Sequence, residues 1–393
     1  MAQQVNDISA RIGSLPRQYR ERKQSMANLS LTNQQPLNSA VQIFTYNVLS
    51  PDLATRKAFG QADPAHLDNR QRFQRILAKL EEPVANGAII ALQEVSAQWA
   101  GPLTCWFQNH SYTAIPAVYR RSQGYTLGVL LAVPDIEYNL ENVQILSVAD
   151  WAKQNLDPPA TDLSLPTKAL NVWRRVVTSL ANKRTILADY PEVTPWTKAC
   201  SYSNLMILAQ LRRTSGQARP FMVATYHAPC LYYNPPAQEL AISQMLMAAQ
   251  AHNREFVGAD QPLGPVLPLF LAGDFNIRPG TPVYRMFQAF NFVSLYHQAA
   301  GAEPTATVIS NSFNNPFCDT LDYVLFLDGE RQTCKDVCAR KVVAVLPSVK
   351  QEAQNNPASL PPQLCMPNAS EPSDHLPLLV WATLCDRHNG LSG

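Results

Sequence analysis

In LAGDFN an apolar run breaks off into Asp274 and Asn276, a carboxylate and an amide almost side by side. Five other stretches of the 393-residue chain set polar groups at the edge of a β-rich run in the same way. TYNVL carries Asn47, ALQEV ends near Glu94, ATYHAPC holds His227, CDTLDYVLF holds Asp322, and PSDHLPLLV begins near Asp374 and His375. Singly, each has an ordinary explanation: a solvated glutamate, a hydrogen-bonded histidine, an aspartate capping a turn, a satisfied buried amide. Six in one chain point to a shared use. Glu94 and Asn47 offer hard oxygen ligands suited to a Mg2+ ion that keeps several waters. Asp322 and His375 supply a carboxylate–imidazole pair, in which the carboxylate fixes the ring tautomer and raises its basicity. Asp274 and Asn276 would project to the same side of a strand, one handling a proton and the other donating to a developing oxyanion. His227 would donate to a phosphate oxygen. In-line attack of water on a phosphodiester needs this inventory of metal, base and oxyanion donors.

The elements that must position these groups are readable from periodicity. Strands are expected at 41–49, 88–95, 127–133, 203–211, 221–227, 268–275, 321–327, 341–346 and 376–383. Helical spacing marks 66–82 and 237–256, with shorter helices expected at 97–110 and 282–290. Residues 135–200, with prolines at 158, 159, 166, 191 and 195, read as an insertion with some helix, and 347–373 as a long loop. Strands spread along the whole length, with a few helices between, predict one α+β domain over 41–386, built on two sheets packed face to face. Residues 1–40 read as a disordered polar tail and 387–393 as a second, shorter tail.

Composition narrows the partners. A net charge of +2 with 16% charged residues is too even to hold nucleic acid by bulk electrostatics, so such a partner must be gripped locally. The eight cysteines are scattered; the one close pair, Cys334 and Cys338, has no neighbouring histidine and poor zinc spacing. They read as reduced, mostly buried small hydrophobes. No apolar stretch is long enough for a membrane span, and the N-terminus lacks the apolar core of a signal peptide. An intracellular, cytoplasmic location is expected, with a mitochondrial one as the alternative because the first 35 residues are Arg-rich and acid-poor. The arginine pairs at 120–121, 174–175 and 212–213 read as solvated surface charge, with a contact to backbone phosphate as the alternative.

In this order, YNVL, LQEV, the strand-end histidine, GDFN, LDYV and SDHLPL resemble the motifs of the endonuclease/exonuclease/phosphatase superfamily over residues 41–384. TYNVLS, ALQEV, LDYVLF and PSDHLPLL look most similar to its deadenylase branch, which includes nocturnin and angel. The resemblance implies a deoxyribonuclease I-like, four-layered α/β sandwich. Its two mixed, mainly antiparallel sheets pack face to face, with flanking helices and the site at one edge. It implies Glu94 as the main Mg2+ ligand, with Asn47 and Asp374 close by and Mn2+ as a substitute ion. His375, backed by Asp322, would activate the water. Asp274 and Asn276 would organise the nucleophile and transition state, and His227 would contact the scissile phosphate. Phe317, five residues before Asp322, stands where that branch carries a base-stacking phenylalanine, and Asn204 joins it as a second expected substrate contact. The chain departs from the family where YHAPCLYYNP replaces the usual T-H-L, and in the long 135–200 segment. No leucine-rich repeat for docking into a deadenylation complex precedes the motifs.

The function these residues favour is a Mg2+-dependent phosphodiesterase, expected to be a monomer. It would act on single-stranded RNA as a 3′–5′ exoribonuclease of the deadenylase type, with Phe317, Tyr232 and Tyr233 stacking bases. The alternatives are a phosphatase of a small phosphorylated ligand, such as a dinucleotide phosphate or an inositol phosphate, and an inactive binding scaffold. The scaffold has no need of the full set Glu94, His227, Asp274, Asn276, Asp322 and His375.

Overall fold

The computed structural model describes residues 40–121, 124–158, 194–215, 218–255, 266–329, 332–341 and 365–386. Strands β1 (Ala40–Asn47), β2 (Ile89–Gln93), β3 (Tyr112–Arg120) and β4 (Thr126–Pro134) come first along the chain. They are followed by β5 (Tyr138–Ser147), β6 (Leu205–Arg213), β7 (Phe221–His227), β8 (Leu269–Asp274) and β9 (Phe292–Ser294). Then come β10 (Val308–Ser312), β11 (Asn315–Asp319), β12 (Asp322–Leu327), β13 (Gln332–Lys341) and β14 (Leu378–Asp386). One six-stranded sheet has the order β13-β14-β1-β2-β4-β3, the other β5-β6-β7-β8-β12-β9, and β10 and β11 form a separate hairpin. Each large sheet has a single parallel pair near its middle, β1 with β2 and β7 with β8, and is otherwise antiparallel.

The expected four layers are present because the central strands are apolar on both faces. Val41, Ile43, Ile89, Ala91, Val129 and Leu131 of the first sheet meet Ile207, Val223, Phe270, Ala272, Val324 and Phe326 of the second in one inter-sheet core. On the outer face of the first sheet, Phe44, Tyr46, Ile90 and Leu92 pack against Ile76, Leu80, Leu103 and Phe107 of the helices Asn69–Ala85 and Ala97–Gln108. Helices Pro235–Glu255 and Pro282–Ala289 cover the second sheet with Ile242, Met245, Leu246, Val283 and Phe287. Asp68, whose side chain accepts from the Gln71 amide, caps helix Asn69–Ala85, and Thr281 does the same for Pro282–Ala289.

Several boundaries differ from the expectation for physical reasons. The 135–200 segment is not a simple insertion. Its first part is β5, an edge strand paired with β6 from Tyr138↔Arg213 to Ser147↔Leu205, followed by helix Val148–Asn155. β5 exposes Asn139, Glu141 and Asn142, as an edge strand does, so it has no apolar run to betray it. β3 is the opposite edge case: it carries Pro116 inside the strand, which only an edge tolerates. Residues 159–193, the tails at 1–39 and 387–393, the strand expected at 341–346 beyond its first residue, and the expected 347–373 loop up to residue 364 lie outside the described residues, while Ala40, expected in the tail, opens β1. Among the described residues, Cys200, Cys318 and Cys334 are buried, but Cys105 and Cys230 are exposed, against the expectation of mostly buried thiols. No helix among them is long and apolar enough to cross a membrane.

Candidate active site

Strand parity builds the site. Side chains at alternate positions share a face, and the inter-sheet face of β1 runs Val41, Ile43, Thr45, Asn47. On β2 it runs Ile89, Ala91, Gln93; on β7, Phe221, Val223, Thr225, His227; on β8, Phe270, Ala272, Asp274. Along each strand the face is apolar until its last steps. β12 runs the other way and presents Asp322 at the same end, paired with Asp274. A polar floor separates core from site: the Gln93 amide donates to Thr45 Oγ1 at 3.1 Å and to Thr225 Oγ1 at 3.2 Å, joining the two sheets. Gln93 is a structural member of the site to which no motif assigns a role.

Above that floor the expected residues converge. Asn47 Nδ2 donates to Glu94 Oε1 and Asp274 Oδ2, both at 3.1 Å, and lies 3.4 Å from His375 Nε2. Its Oδ1 accepts from the Leu49 amide at 3.0 Å, so in this arrangement Asn47 meets the site as a donor, not as an oxygen ligand. Glu94 Oε2 accepts from the Ser50 amide at 3.0 Å. His375 Nδ1 and Asp322 Oδ2 are 2.9 Å apart, while His375 Nε2 is 3.7 Å and His227 Nε2 3.5 Å from Asp274 Oδ2. His227 Nδ1 and Asp322 Oδ1 are buried without a hydrogen-bond partner. Ser373 completes the frame: its hydroxyl donates to the Asn47 carbonyl at 2.7 Å and accepts from the His375 amide at 3.2 Å.

The turns that present these groups are held in the left-handed backbone region, at φ 60° for Glu94 and φ 54° for Asn276. Asn276 lies two residues past the end of β8, so strand periodicity does not aim it beside Asp274. Its amide donates to the Ala228 carbonyl at 2.9 Å, its backbone N–H to Asp274 Oδ1 at 2.9 Å, and its carbonyl accepts from Gln238 at 2.8 Å. Here it locks the loop that orients Asp274. Gly273 is required by close approach of β7: a Cβ there would lie 1.9 Å from the Tyr226 carbonyl oxygen.

The electrostatics are those of an acid cluster. Glu94, Asp274, Asp322 and Asp374 face two imidazoles, and no lysine or arginine among the described residues lies at ion-pair distance from any of the four. Burial pushes the Asp274 and Asp374 carboxyls up, and His375 opposes the shift in both. Burial alone would lower the His375 pKa; Asp322 and Asp274 outweigh it and raise it well above the ordinary histidine range. Asp274, Asp322 and His375 place ligand atoms within 4.8 Å of one another. An excess of buried carboxylate with an unpartnered oxygen is the donor chemistry of a hard divalent cation, so these residues fit such an ion.

The two expected substrate contacts part company. Phe317 is half-buried on β11, with the Arg278 guanidinium 4.8 Å from its ring centroid. The hairpin that carries it is bonded to the His375 segment: Val308 bridges to His375, and the Ile309 amide donates to the Asp374 carbonyl. Asn204 is buried and faces inward. Its Nδ2 donates to the His227 carbonyl at 2.6 Å and its Oδ1 accepts from Arg121 at 3.4 Å, so it steadies His227. Thr307, whose hydroxyl accepts from the Leu321 and Asp322 amides, and Arg72, fully buried under the site, carried no motif signal.

Comparison with known proteins agrees with this fold. Residues 44–375 match the model of the endonuclease/exonuclease/phosphatase family. A crystal structure of ANGEL2, described as a 2′,3′-cyclic phosphatase in complex with adenosine-2′,3′-vanadate, is similar in fold at TM-score 0.57 and 16% identity, covering 89% of this chain and 97% of that one. The human nocturnin catalytic domain with bound sulfate is similar at TM-score 0.54 and 16% identity, covering 90% of this chain and 100% of that one. No curated protein matches the chain by sequence.

Proposed function

The chain belongs to the endonuclease/exonuclease/phosphatase family and is thereby a phosphoric ester hydrolase, and from that premise we propose that it hydrolyses phosphodiester bonds of single-stranded RNA, removing nucleotides from the 3′ end. The observation that carries this reading is the Asp322–His375 pair at 2.9 Å, whose free Nε2 opens toward Asp274 and Asn47 in a cleft of converging carboxylates. With Nδ1 donating to Asp322, Nε2 is the atom that would take the proton of an attacking water, once a bound cation offsets the carboxylate charge that raises the ring's pKa. Asp322, buried, keeps the ring in that tautomer. Asp274 sits within reach of both imidazoles and exchanges a proton with the nucleophile or its immediate product. Asn47 and His227 aim N–H groups at the centre, where charge grows on the phosphoryl oxygens. Glu94 and Asp374, with Asp274 beside them, would hold a Mg2+ or Mn2+ ion, which when bound supplies charge neutralisation at the phosphate. Phe317, backed by Arg278, offers a ring face for the base next to the scissile bond.

The test is incubation of the full chain with Mg2+ and a 5′-labelled RNA ending in oligo(A), with Glu94→Ala as control. Stepwise 3′ shortening that is lost in the variant and on chelation is expected. An RNA left intact would overturn the reading. A phosphatase reading is the second, favoured by the 2′,3′-cyclic phosphatase named for the ANGEL2 structure. The same assay on RNA ending in a 2′,3′-cyclic phosphate, where the phosphate is lost without shortening, separates the two.

A further inference from the structure

A second aromatic and cationic surface lies against the site, on the flank away from Phe317. Tyr232 and Tyr233 are 68% and 57% exposed, the two most exposed tyrosines among the described residues. They meet edge to face with centroids 5.8 Å apart. The Tyr233 and Tyr202 hydroxyls are 2.9 Å apart. Lys198 Nζ lies 5.4 Å from the Tyr202 ring centroid and 5.7 Å from that of Tyr233, and the Arg121 guanidinium lies 5.3 Å from the Tyr202 ring centroid. Among the described residues no carboxylate pairs with Lys198 or Arg121; Lys198 is held by the Tyr202 and Tyr233 rings and hydroxyls, and Arg121 by the Tyr202 ring and Asn204. Arg121 also donates to Asn204, whose amide holds the His227 carbonyl, so the surface is joined to the site by two consecutive hydrogen bonds.

Sheet order fixes which flank this is. His227, Asp274 and Asp322 stand on the neighbouring strands β7, β8 and β12. Tyr202 leads into β6, outside His227, whereas the Phe317 hairpin leads into β12, which carries Asp322, and is bonded to the His375 segment. From β6 to β12 is three strand spacings, about 14 Å. The two ring surfaces therefore reach the site from strands on opposite sides of β7 and β8, which carry His227 and Asp274 between them.

Resting on the phosphodiesterase reading above, we propose that Tyr202, Tyr233, Lys198 and Arg121 form a second nucleotide-binding platform. The substrate is then a single-stranded oligonucleotide held on both sides of the scissile bond. Bases stack on exposed ring faces at a cost in sequence preference but not in affinity. Lys198 and Arg121, beside those rings, are placed for the backbone phosphates between them. A chain with near-zero net charge needs such a local grip.

The test measures binding and cleavage separately on the full chain. Fluorescence anisotropy in EDTA with a 5′-labelled octaadenylate should show at least a ten-fold weaker Kd for the Tyr233→Ala/Lys198→Ala double variant than for the native chain. Tyr233→Phe, which keeps the ring and drops the hydroxyl, should restore octamer binding when Lys198 is retained. The native preference for the octamer over a diadenylate should shrink in the double variant by the same factor. A thermal melt within 2 °C of native excludes unfolding as the cause. Octamer binding within two-fold of native in the double variant would overturn the platform while leaving the hydrolysis reading intact. A native chain that binds the octamer through these residues yet does not cleave it would support the platform and overturn the hydrolysis reading.

Discussion

Arg72 offers a stringent test of how the site is held together, through the substitution Arg72→Met. The side chain is fully buried on helix Asn69–Ala85 and has no carboxylate at ion-pair distance among the described residues. It donates Nε to the Pro372 carbonyl at 2.7 Å and Nη2 to the Val48 carbonyl at 2.9 Å and to the Leu49 carbonyl. Those acceptors lie one to two residues past Asn47 and one residue before Ser373, so a single fork ties the end of β1 to the segment that carries His375. Its guanidinium also stands 5.2 Å from the Trp99 ring centroid. Burial lowers its pKa to about 10, which still leaves it charged at neutral pH. Methionine keeps the volume and the aliphatic stem but strips three buried carbonyls of their donor, at about 1–3 kcal/mol each. Relief from burying the charge returns part of that. The net expected loss is about 3–5 kcal/mol, a fall in Tm on the order of 6–12 °C, with Arg72→Lys in between because it keeps the charge and loses the fork. Urea melts give the first number and the loss of hydrolytic rate gives the coupling to Asn47 and His375. A Met variant within 1 kcal/mol of native, with unaltered activity, would refute the claim that this fork holds the two segments in register.

Asp322→Asn preserves shape but removes the charge that fixes the His375 tautomer. It should lower kcat by roughly 10²–10⁴ with little change in KM, and steady-state kinetics showing an unchanged kcat would remove the pair from the mechanism. Glu303 tests the electrostatics away from the site. Burial raises its carboxyl above the ordinary range even though the Tyr284 hydroxyl donates to it at 2.6 Å. A raised folded-state pKa means the proton stabilises the fold: the contribution is full below the unfolded-state value, about 4.3, and is lost as pH rises through the folded one. Glu303→Gln should therefore gain stability relative to native between pH 4 and 7, and a Tm difference that stays flat across that range would contradict the assignment.

Strand periodicity makes much of the site visible in the sequence. β1, β2, β7, β8 and β12 are buried on both faces, so each reads as an apolar run, and a polar residue closing such a run stands out. The helices Asn69–Ala85 and Pro235–Glu255 were legible because one face repeats at helical spacing. The edge strands β3 and β5 were not, since half-solvated strands mix polar residues and proline into the pattern. The order of motifs carried the family and the chemical inventory of the cleft: carboxylates, imidazoles and amides at strand ends, fixed by which residues the chain contains and in what sequence.

Only tertiary structure decided how that inventory is wired. The Gln93 bridge between Thr45 and Thr225 exists because two sheets bring side chains 132 residues apart into contact. Asn276 turns out to brace a loop, and Asn204 to steady His227, because their amides find backbone carbonyls that no local pattern announces. Arg72 reads in sequence as one more helix charge; its partners are carbonyls up to 300 positions away. The tyrosine and lysine surface beside His227 likewise arises where the turn after β3, the turn before β6 and the loop after β7 meet. Hydrogen bonds to backbone and packing across layers depend on distance in space, and residue type along the chain does not encode that distance.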